Sequence, residues 1–594
     1  MSDSTASQID QRHAVVPLAL QITAWLAALA VCVVGMLDLV GNWKAEVATA
    51  QFVALAIAPL IFMLPRPRRL QISTTTCDPK QSAAGRGDWF ICIGLGVVAF
   101  TVNYAVGIKL ADLPPAYHDE FSYLFEAKIL LAGRLSFPSH PVHPELFDQM
   151  HVMNEGRMAS RYYPGTSLWL APFVAVGYPY YAAWVASTIA TMLLYWTGRE
   201  LAGRRAGFFA GLTLALSPGV ALFGTTYLAH QPTLMSLSLF LLGMIRWRRT
   251  RGASDAWMAG CGLSFAMLCR PMTAAAMGLP FGLDIAIWLI RPRRPVVTIA
   301  GPTPSRLATL IGFGIPLMAG WGLMAIYNEA VTGEWTRSPY QDYTDLYTPR
   351  HVYGFNNRVR GEQHLGPKVI EDYDTWAENL TPELAARNVF VRWIASWQWT
   401  LDIVPLLICT VIVGGMLWRL DRRWMLIVAA IVSLHALHAP YWYVGIMGWH
   451  YVFETALLWC LIAGGATALL TSDWKRRGIR GLSVWWSALL VLSFAANFQY
   501  RIPDGLGSLR HPRQQHADLR RWFETHVDQR PALVLIEQND PHLDLVVNEP
   551  GLNADLVLGR YRPGKTDVKQ IRKDFPDRSL YVTRPDRKEI KRIE

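Results

Sequence analysis

Residues 198–218 have the sequence GRELAGRRAGFFAGLTLALSP, and the pattern within this stretch decides the fold class. One apolar run ends there, the cations Arg204 and Arg205 follow a glycine, and a second apolar run begins at once. A bilayer core needs about 20 mostly apolar residues per helix, so the two runs predict membrane-spanning helices. The cations between them predict a loop at one face of the membrane.

The same alternation of apolar runs and basic turns extends over most of the 594 residues. Charged residues make up 17% of the chain and hydrophobic residues 52%, whereas soluble domains carry roughly a quarter charged residues. This composition excludes a soluble enzyme, a fibrous repeat and a disordered chain. It predicts an α-helical polytopic membrane protein with about thirteen spans. The predicted spans lie near 15–40, 47–64, 89–110, 167–198, 206–226, 231–247, 256–272, 273–290, 307–327, 401–418, 424–443, 450–470 and 482–499. The run 167–198 is too long for one span and is expected to divide near Gly177 and Pro179.

The net charge of +11 predicts an orientation in the membrane and no nucleic-acid partner. All dense basic clusters between spans fall on one side when the N-terminus is placed inside, as expected for cytoplasmic loops. We therefore expect a multi-pass protein of the cytoplasmic membrane. Its outer side would hold a loop at 111–166, a loop at 328–399 and the C-terminal tail.

Three regions follow from this division of the chain. Residues 1–87 would form two N-terminal spans and a basic cytoplasmic loop, and residues 88–500 would form the transmembrane core. Residues 501–594 predict a small α/β domain outside the membrane. Its sequence predicts strands at 531–537 and 578–583 and amphipathic helices at 516–527 and 567–575.

The first outer loop contains an acidic pair, Asp119 and Glu120, at the start of a predicted surface helix over 119–132. Acidic side chains at this position can cap the helix and complement its dipole. Alternatively, a carboxylate at the mouth of a membrane cavity can act as a general base or hold a metal. A divalent cation held by Asp119 and His118 is a further interpretation, although the spacing of the loop's histidines matches no standard metal motif.

Later in the same loop, residues 151–173 predict a β-hairpin that turns at 154–156 and then enters an apolar helix. Arg157 and Arg161 could bind phosphate oxygens. Tyr162 and Tyr163 could stack on a sugar or belong to an interfacial aromatic belt.

Three polar residues interrupt or flank apolar spans: His230, Arg270 and His450. Polar groups at membrane depth are costly and tend to face a cavity. We expect these side chains to contact substrate, with Arg270 a candidate for a lipid phosphate. A purely structural pairing is the alternative for each of them, and His450 could instead pair with Glu454.

These motifs together resemble the GT-C superfamily of membrane glycosyltransferases. The likeness is greatest to the branch of protein mannosyltransferases and bacterial aminoarabinose transferases (glycosyltransferase family 39). It lies in His118-Asp119-Glu120 followed by Tyr123, in Tyr163-Pro164-Gly165, and in the Gly-Arg-Arg turn and Leu-Ser-Pro ending within 198–218. The chain has Arg161-Tyr162-Tyr163-Pro164 where aminoarabinose transferases have a Lys-Pro-Pro entry, and it lacks the Trp-Trp-Asp signature of oligosaccharyltransferases.

The resemblance implies sugar transfer from a polyprenyl-phosphate donor to a glycan, lipid or protein acceptor on the outer face, with inversion at the anomeric carbon. Asp119 would be the base, Glu120 a second catalytic or metal contact, and His118 and Tyr123 substrate contacts. Membrane lipids are further expected partners. A lipid or glycan transporter and a non-catalytic envelope assembly protein are the competing hypotheses. A transporter powered by nucleotide hydrolysis is disfavoured because the chain has no Walker A motif.

Overall fold

The computed structural model describes residues 85–290, 305–361, 368–415, 421–476, 480–538 and 540–593. Helices dominate these ranges, which confirms the predicted α-helical class. The predicted spans 15–40 and 47–64, and nearly all of the predicted region 1–87, lie outside the described residues.

Helices form the core of the protein, and the short strands lie between residues 137 and 160 and in the tail. In chain order the helices are α1 (Arg86–Gly107), α2 (His118–Leu131), α3 (Pro164–Ala175), α4 (Tyr181–Ala202), α5 (Arg204–Ala215), α6 (Pro218–Phe223), α7 (His230–Thr250), α8 (Ala253–Cys269), α9 (Pro271–Ile290), α10 (Arg306–Thr332), α11 (Pro339–Tyr347), α12 (Lys368–Thr375), α13 (Pro382–Thr400), α14 (Ile403–Gly415), α15 (Arg422–Leu437), α16 (Thr455–Arg476), α17 (Arg480–Ala496), α18 (Ile502–His526) and α19 (Val568–Asp574). The strands are β1 (Phe137–Pro138), β2 (Val152–Asn154), β3 (Arg157–Ser160), β4 (Ala532–Ile536), β5 (Leu556–Arg560), β6 (Ser579–Arg584) and β7 (Glu589–Ile593).

Fewer helices than expected are both long and apolar enough to cross a membrane unaided. Among the described residues four qualify, namely α1, α9, α10 and most of α16, and α13 with α14 make a fifth if that pair, bent by 109°, counts as one span. The expected thirteen spans are therefore not confirmed. The run 206–226 divides into the short helices α5 and α6. Helix α7 is largely buried among its neighbours and carries polar side chains such as Gln231, so its composition is less apolar than that of a lipid-facing helix.

The predicted division of 167–198 is confirmed. Helix α3 ends at Ala175 and α4 begins at Tyr181. Gly177 lies between them with φ of +81°, a left-handed conformation that glycine adopts without the steric cost of a Cβ.

Small residues let the core helices approach one another closely. A Cβ added to Gly198 of α4 would lie 2.8 Å from the Cα of Gly207 in α5. A Cβ on Gly262 of α8 would lie 2.5 Å from the backbone nitrogen of Phe240 in α7. Such contacts are typical of helices that pack within membranes, where small side chains allow backbones to meet.

The two sheets of the described residues lie in the tail and in the segment 111–166, predicted to be the first outer loop. We keep the names first outer loop for this segment and second outer loop for 328–399, after the predicted topology. Strands β2 and β3 form the predicted hairpin, with β1 added to β3, and the turn contains Gly156 at φ of +75°. The tail sheet has the order β5-β4-β6-β7, with β4 parallel to β5 and β6 and with β7 antiparallel to β6. The strands expected at 531–537 and 578–583 are confirmed, whereas β5 and β7 were not predicted.

The tail packs onto the first outer loop and forms one unit with it. Leu533 and Leu535 of β4 share a buried cluster with Phe125 and Ile129 of α2. Two ion pairs and a hydrogen bond cross the same boundary: Lys128 pairs with Glu549, Arg562 pairs with Asp148, and His143 is hydrogen-bonded to Asp574. The shared cluster fixes the tail beside helix α2.

A buried ion pair also joins α2 to the tail. Arg513 of α18 and Glu120 of α2 are both fully buried, and Nη2 of Arg513 lies 3.2 Å from Oε1 of Glu120. The same guanidinium donates to the carbonyl oxygen of Thr225 and to the hydroxyl of Tyr180. A buried carboxylate needs such donors because removing it from water is expensive.

Replacing Arg513 by Met should destabilise the protein by roughly 3–5 kcal/mol, because the Glu120 carboxylate would remain buried without its cation. The measurement is thermal unfolding in detergent, followed by size-exclusion chromatography of the heated samples. Arg520→Met on the exposed side of the same helix is the matched control and should unfold as the unchanged protein does. Equal melting of both variants would contradict the structural role of the pair.

Candidate active site

A cavity of about 500 Å³ lies where the helical core, both outer loops and the tail meet. Nine of the eleven side chains proposed from the sequence as catalytic or substrate-binding line it. They come from α2, the hairpin segment and three core helix ends that are distant in sequence. These nine are His118, Asp119, Tyr123, Arg161, Tyr162, Tyr163, His230, Arg270 and His450.

Asp119 is held by two hydrogen bonds to the same carboxylate oxygen. Nδ1 of His151 and the hydroxyl of Tyr162 each lie 2.8 Å from Oδ1 of Asp119. Within the described residues Oδ2 has no hydrogen-bond partner. Since Asp119 lines the cavity, this second oxygen is the one available to a bound molecule.

His151 is positioned by its own backbone, which has the left-handed φ of +60°. Its N–H donates to the hydroxyl of Tyr343, and its carbonyl oxygen accepts from the hydroxyl of Ser122. A non-glycine residue with this φ is costly and is maintained only where the surroundings over-determine it. These contacts hold the imidazole of His151 against Asp119.

The pKa shifts of the two groups follow from burial and hydrogen bonding. Burial disfavours the imidazolium and lowers the pKa of His151 to about 4, although Asp119 opposes that shift. Burial alone would raise the pKa of Asp119, but the hydrogen bonds from His151 and Tyr162 outweigh it and hold the pKa below its usual value. At neutral pH the pair is therefore a neutral imidazole that donates from Nδ1 to an ionised carboxylate.

Arg161 is a buried cation without a carboxylate partner among the described residues. Its guanidinium carbon lies 4.4 Å from the ring centre of Tyr340 and 4.5 Å from that of Tyr343. Nη2 donates to the hydroxyl of Thr344, while Nε is buried and has no partner. The aromatic faces stabilise the positive charge, and donor capacity remains for an anion in the cavity.

Arg270 is already paired. Its Nη1 lies 2.8 Å from Oε1 of Glu454, and its Nη2 donates to the carbonyl oxygen of His450. Nε2 of His230 also lies 2.9 Å from that carbonyl oxygen. For Arg270 and His230 these contacts are the structural pairing weighed above as the alternative. Glu454 pairs with Arg270 and, among the described residues, not with the side chain of His450. All three predicted residues line the cavity.

Glu120 and Arg157 do not line the cavity, contrary to the sequence-based expectation. Glu120 accepts from the N–H groups of Ala116, Tyr117 and Tyr227 as well as from Arg513. These four donors satisfy the hydrogen-bonding capacity of the carboxylate, so its role is to stabilise the fold. Arg157 is exposed and donates to the carbonyl oxygens of Glu329 and Ala330 at the end of α10.

Several lining residues were not proposed from the sequence. His151 is one of the histidines of the first outer loop, whose spacing matches no standard metal motif. The others are dispersed aromatic and histidine side chains with no motif around them. They are Tyr340, His351, Tyr353, Tyr373, Trp376, His438, Tyr441, Tyr443, Tyr451 and His542.

Part of this aromatic wall depends on Arg392, which is fully buried in α13. Its guanidinium donates to the carbonyl oxygens of His438, Tyr441 and Tyr443. The loop after α15 is thereby fixed with its tyrosines toward the cavity.

Metal binding is not supported by the arrangement of ligands. In the described ranges, no group of three or more His, Cys, Asp or Glu side chains is placed to hold an ion. His118, the other ligand considered for a cation, instead places Nε2 3.0 Å from the carbonyl oxygen of Pro541 in the tail. The imidazole rings of His118 and His151 are nearly perpendicular, at 87°, with 5.6 Å between their centres.

Beside the cavity, Glu126 of α2 is a second fully buried carboxyl. Its Oε2 accepts from the N–H of Ser160, whereas Oε1 has no partner. Burial raises the pKa of Glu126 to about 8, against the opposing effect of the hydrogen bond from Ser160. The group is therefore neutral at pH 7.

Part of the chain matches a known protein family. The model of the family described as dolichyl-phosphate-mannose-protein mannosyltransferase matches residues 179–316. This range is less than half of the chain and runs from the start of α4 into α10. The match confirms, for these residues, the likeness to GT-C membrane glycosyltransferases predicted from the sequence. It supports a glycosyltransferase-type enzyme located in a membrane.

Solved structures give weaker likenesses. ArnT from Cupriavidus metallidurans bound to undecaprenyl phosphate has a TM-score of 0.47 at 10% identity, over 85% of this chain and 91% of that one. The same protein in the apo state has a TM-score of 0.48 at 10% identity, over 85% and 94% of the two chains. The Archaeoglobus fulgidus oligosaccharyltransferase tethered with an acceptor peptide has a TM-score of 0.40 at 13% identity, over 80% and 61%. At scores this low, nothing about this chain's ligands follows from them. No curated protein matches the chain.

The raised pKa of Glu126 predicts a pH-dependent effect on stability. An unfolded Glu ionises near pH 4.5, whereas the folded group keeps its proton to about pH 8. Folding then takes up a proton between these values, so this residue's contribution to stability falls as pH rises from 4.5 to 8. Glu126→Gln removes the titration and keeps an acceptor for Ser160. The melting temperature of Glu126→Gln, measured relative to that of the unchanged protein, should therefore be higher at pH 8 than at pH 5.

The control for this effect is Glu524→Gln, which removes a half-exposed carboxylate of α18. Its melting temperature relative to the unchanged protein should not vary with pH in this way. A gain for Glu126→Gln that is the same at pH 5 and pH 8 would contradict the proton uptake assigned to Glu126.

Proposed function

We propose that the protein is a membrane glycosyltransferase that transfers a sugar from a polyprenyl-phosphate donor to an acceptor hydroxyl or amine in this cavity. The observation that carries the proposal is the ionised Asp119, held through Oδ1 and open at Oδ2. It lies in the same cavity as Arg161, a cation with no carboxylate partner among the described residues. A base and an anion site within one aromatic-lined cavity are the two parts that such a transfer needs.

The reaction breaks one bond to the anomeric carbon and forms another. The acceptor oxygen or nitrogen attacks the anomeric carbon on the side opposite the phosphate and passes its proton to Oδ2 of Asp119. The bond from that carbon to the phosphate oxygen breaks, and the polyprenyl phosphate leaves with its electron pair. Attack opposite the leaving group inverts the configuration. Because the transition state of glycosyl transfer is oxocarbenium-like, only modest basicity is required of Asp119.

His151 and Tyr162 act as positioning residues for the base. By occupying Oδ1, they direct the remaining lone pairs of Asp119 toward the acceptor and keep the carboxylate ionised. His151 stays neutral in this role, so it donates a hydrogen bond without adding a full positive charge that would weaken the base further.

Arg161 is the stronger candidate for the donor phosphate. The charge of Arg270 is already met by Glu454, whereas Arg161 is surrounded by tyrosine rings and has an unused N–H. A guanidinium can bind phosphate oxygens through two parallel hydrogen bonds. The aromatic wall of Tyr and Trp side chains supplies faces on which sugar rings can stack.

His542 of the tail lines the cavity and lies edge-on to Trp376 of the second outer loop, with 5.1 Å between the ring centres. This contact bridges the second outer loop and the tail. We assign the cavity to the outer face of the cytoplasmic membrane, with the N-terminus inside, on the basis of the basic clusters in the opposite loops.

Replacing Asp119 by Asn should reduce transfer by at least ~10²-fold, because the side chain can no longer accept a proton. The measurement is complementation of a deletion strain, with mass spectrometry of the cell-envelope glycans. Asp112→Asn is the matched control, since Asp112 is an exposed carboxylate of the same outer loop.

Asp112 lies at the surface, before helix α2 begins and outside the cavity. The Asp112→Asn variant should therefore restore the glycan fully. Normal glycan in cells that carry folded Asp119→Asn would overturn the assignment of the base.

Replacing Arg161 by Gln should weaken binding of a polyprenyl phosphate by about 10- to 100-fold, because a hydrogen bond to a charged group contributes roughly 1.5–3 kcal/mol. The measurement is a titration of the purified protein with undecaprenyl phosphate, followed by thermal shift. Arg157→Gln is the matched control on the same hairpin, and its affinity should equal that of the unchanged protein. Equal affinities for all three proteins would contradict a phosphate site at Arg161.

A further inference from the structure

A second groove lies at the other end of the helical core, about 30 Å along α16 from its start at Thr455. That distance matches the thickness of a bilayer's hydrocarbon core. The groove has a volume of about 790 Å³ and lies between α5, α16 and α17, with Ile91 of α1 at one side.

Three cations line the groove, and two of them are uncompensated. Arg204 lies 3.1 Å from Asp88, which also pairs with Arg199. Arg205 and Lys475 are exposed, and among the described residues no carboxylate lies within ion-pair distance of either. The groove therefore carries a net positive charge.

The remaining walls are hydroxyl-bearing or apolar. Ser483 of α17 and Thr471 of α16 line the polar part. Phe208 and Val484 line the rest and are 36% and 52% exposed. Large apolar side chains exposed along the core helices are expected to contact lipid chains, while the cations lie where headgroups would be.

We propose that this groove binds one anionic glycerophospholipid, with its phosphate between Arg205 and Lys475 and its acyl chains along Phe208 and Val484. Basic pockets between membrane helices are suited to anionic headgroups. Charge complementarity selects an anionic lipid over a zwitterionic one, since the latter brings its own cation near Arg205. The site is separate from the cavity at Asp119 and does not depend on the proposed sugar transfer.

The test uses the full-length protein in detergent with three added probes: phosphatidylglycerol, phosphatidylcholine and inorganic phosphate. We expect phosphatidylglycerol to raise the melting temperature and to be retained as one molecule per protein in native mass spectrometry. The double variant Arg205→Gln/Lys475→Gln should lose about 25-fold in affinity, on the basis of about five-fold for each cation near a membrane surface. The charge-matched control Arg520→Gln/Lys588→Gln in the tail should bind as the unchanged protein does.

Several results would overturn the proposal. Equal stabilisation by phosphatidylcholine would remove the anionic selectivity, and full competition by inorganic phosphate would indicate an anion site that needs no acyl chain. Unchanged binding in the double variant would exclude the groove, as would occupancy of the groove by another segment of this chain. If the double variant does not fold, Arg205→Gln alone is measured, with an expected loss of about five-fold.

Discussion

The burial of the Glu120 carboxylate is the constraint on which the site depends. This group is fully enclosed and accepts from three backbone N–H groups and from Arg513. The donors come from the start of α2, the segment before α7 and the tail helix α18. One carboxylate therefore ties the outer loop, the core and the tail together. Because successive residues of a helix point about 100° apart, fixing Glu120 inward turns Asp119 toward the cavity.

The two members of the acidic pair thus have different surroundings. Glu120 accepts hydrogen bonds at the start of helix α2 and in the protein interior. Acidic residues commonly stabilise a helix N-terminus in this way. Asp119 has only one oxygen engaged and borders the cavity. Of the two interpretations that were alternatives in the sequence, the structural one applies to Glu120, and the chemical one is what we propose for Asp119. A similar division separates Arg157, which binds carbonyl groups at the surface, from Arg161, which is buried beside tyrosine rings.

Motifs in one continuous segment were predictable, whereas contacts assembled from dispersed segments were not. The helix at 118–131, the hairpin and the break before α4 follow from local turn chemistry and apolar periodicity. Residues such as Tyr373 and His542 reach the cavity only through tertiary packing, and no local pattern distinguishes them from interfacial aromatics. The span count was not confirmed among the described residues for a related reason. Helices such as α7 are buried by their neighbours, so they need not be as apolar as helices that face lipid.

A structure of the protein determined with undecaprenyl phosphate would show whether Arg161 binds the donor phosphate beside Asp119. We expect phosphate density within hydrogen-bond distance of Arg161, in the cavity that Asp119 borders, with the prenyl chain leaving between core helices. Phosphate density elsewhere, with Arg161 still covered by its tyrosines and the cavity at Asp119 unoccupied, would contradict this expectation.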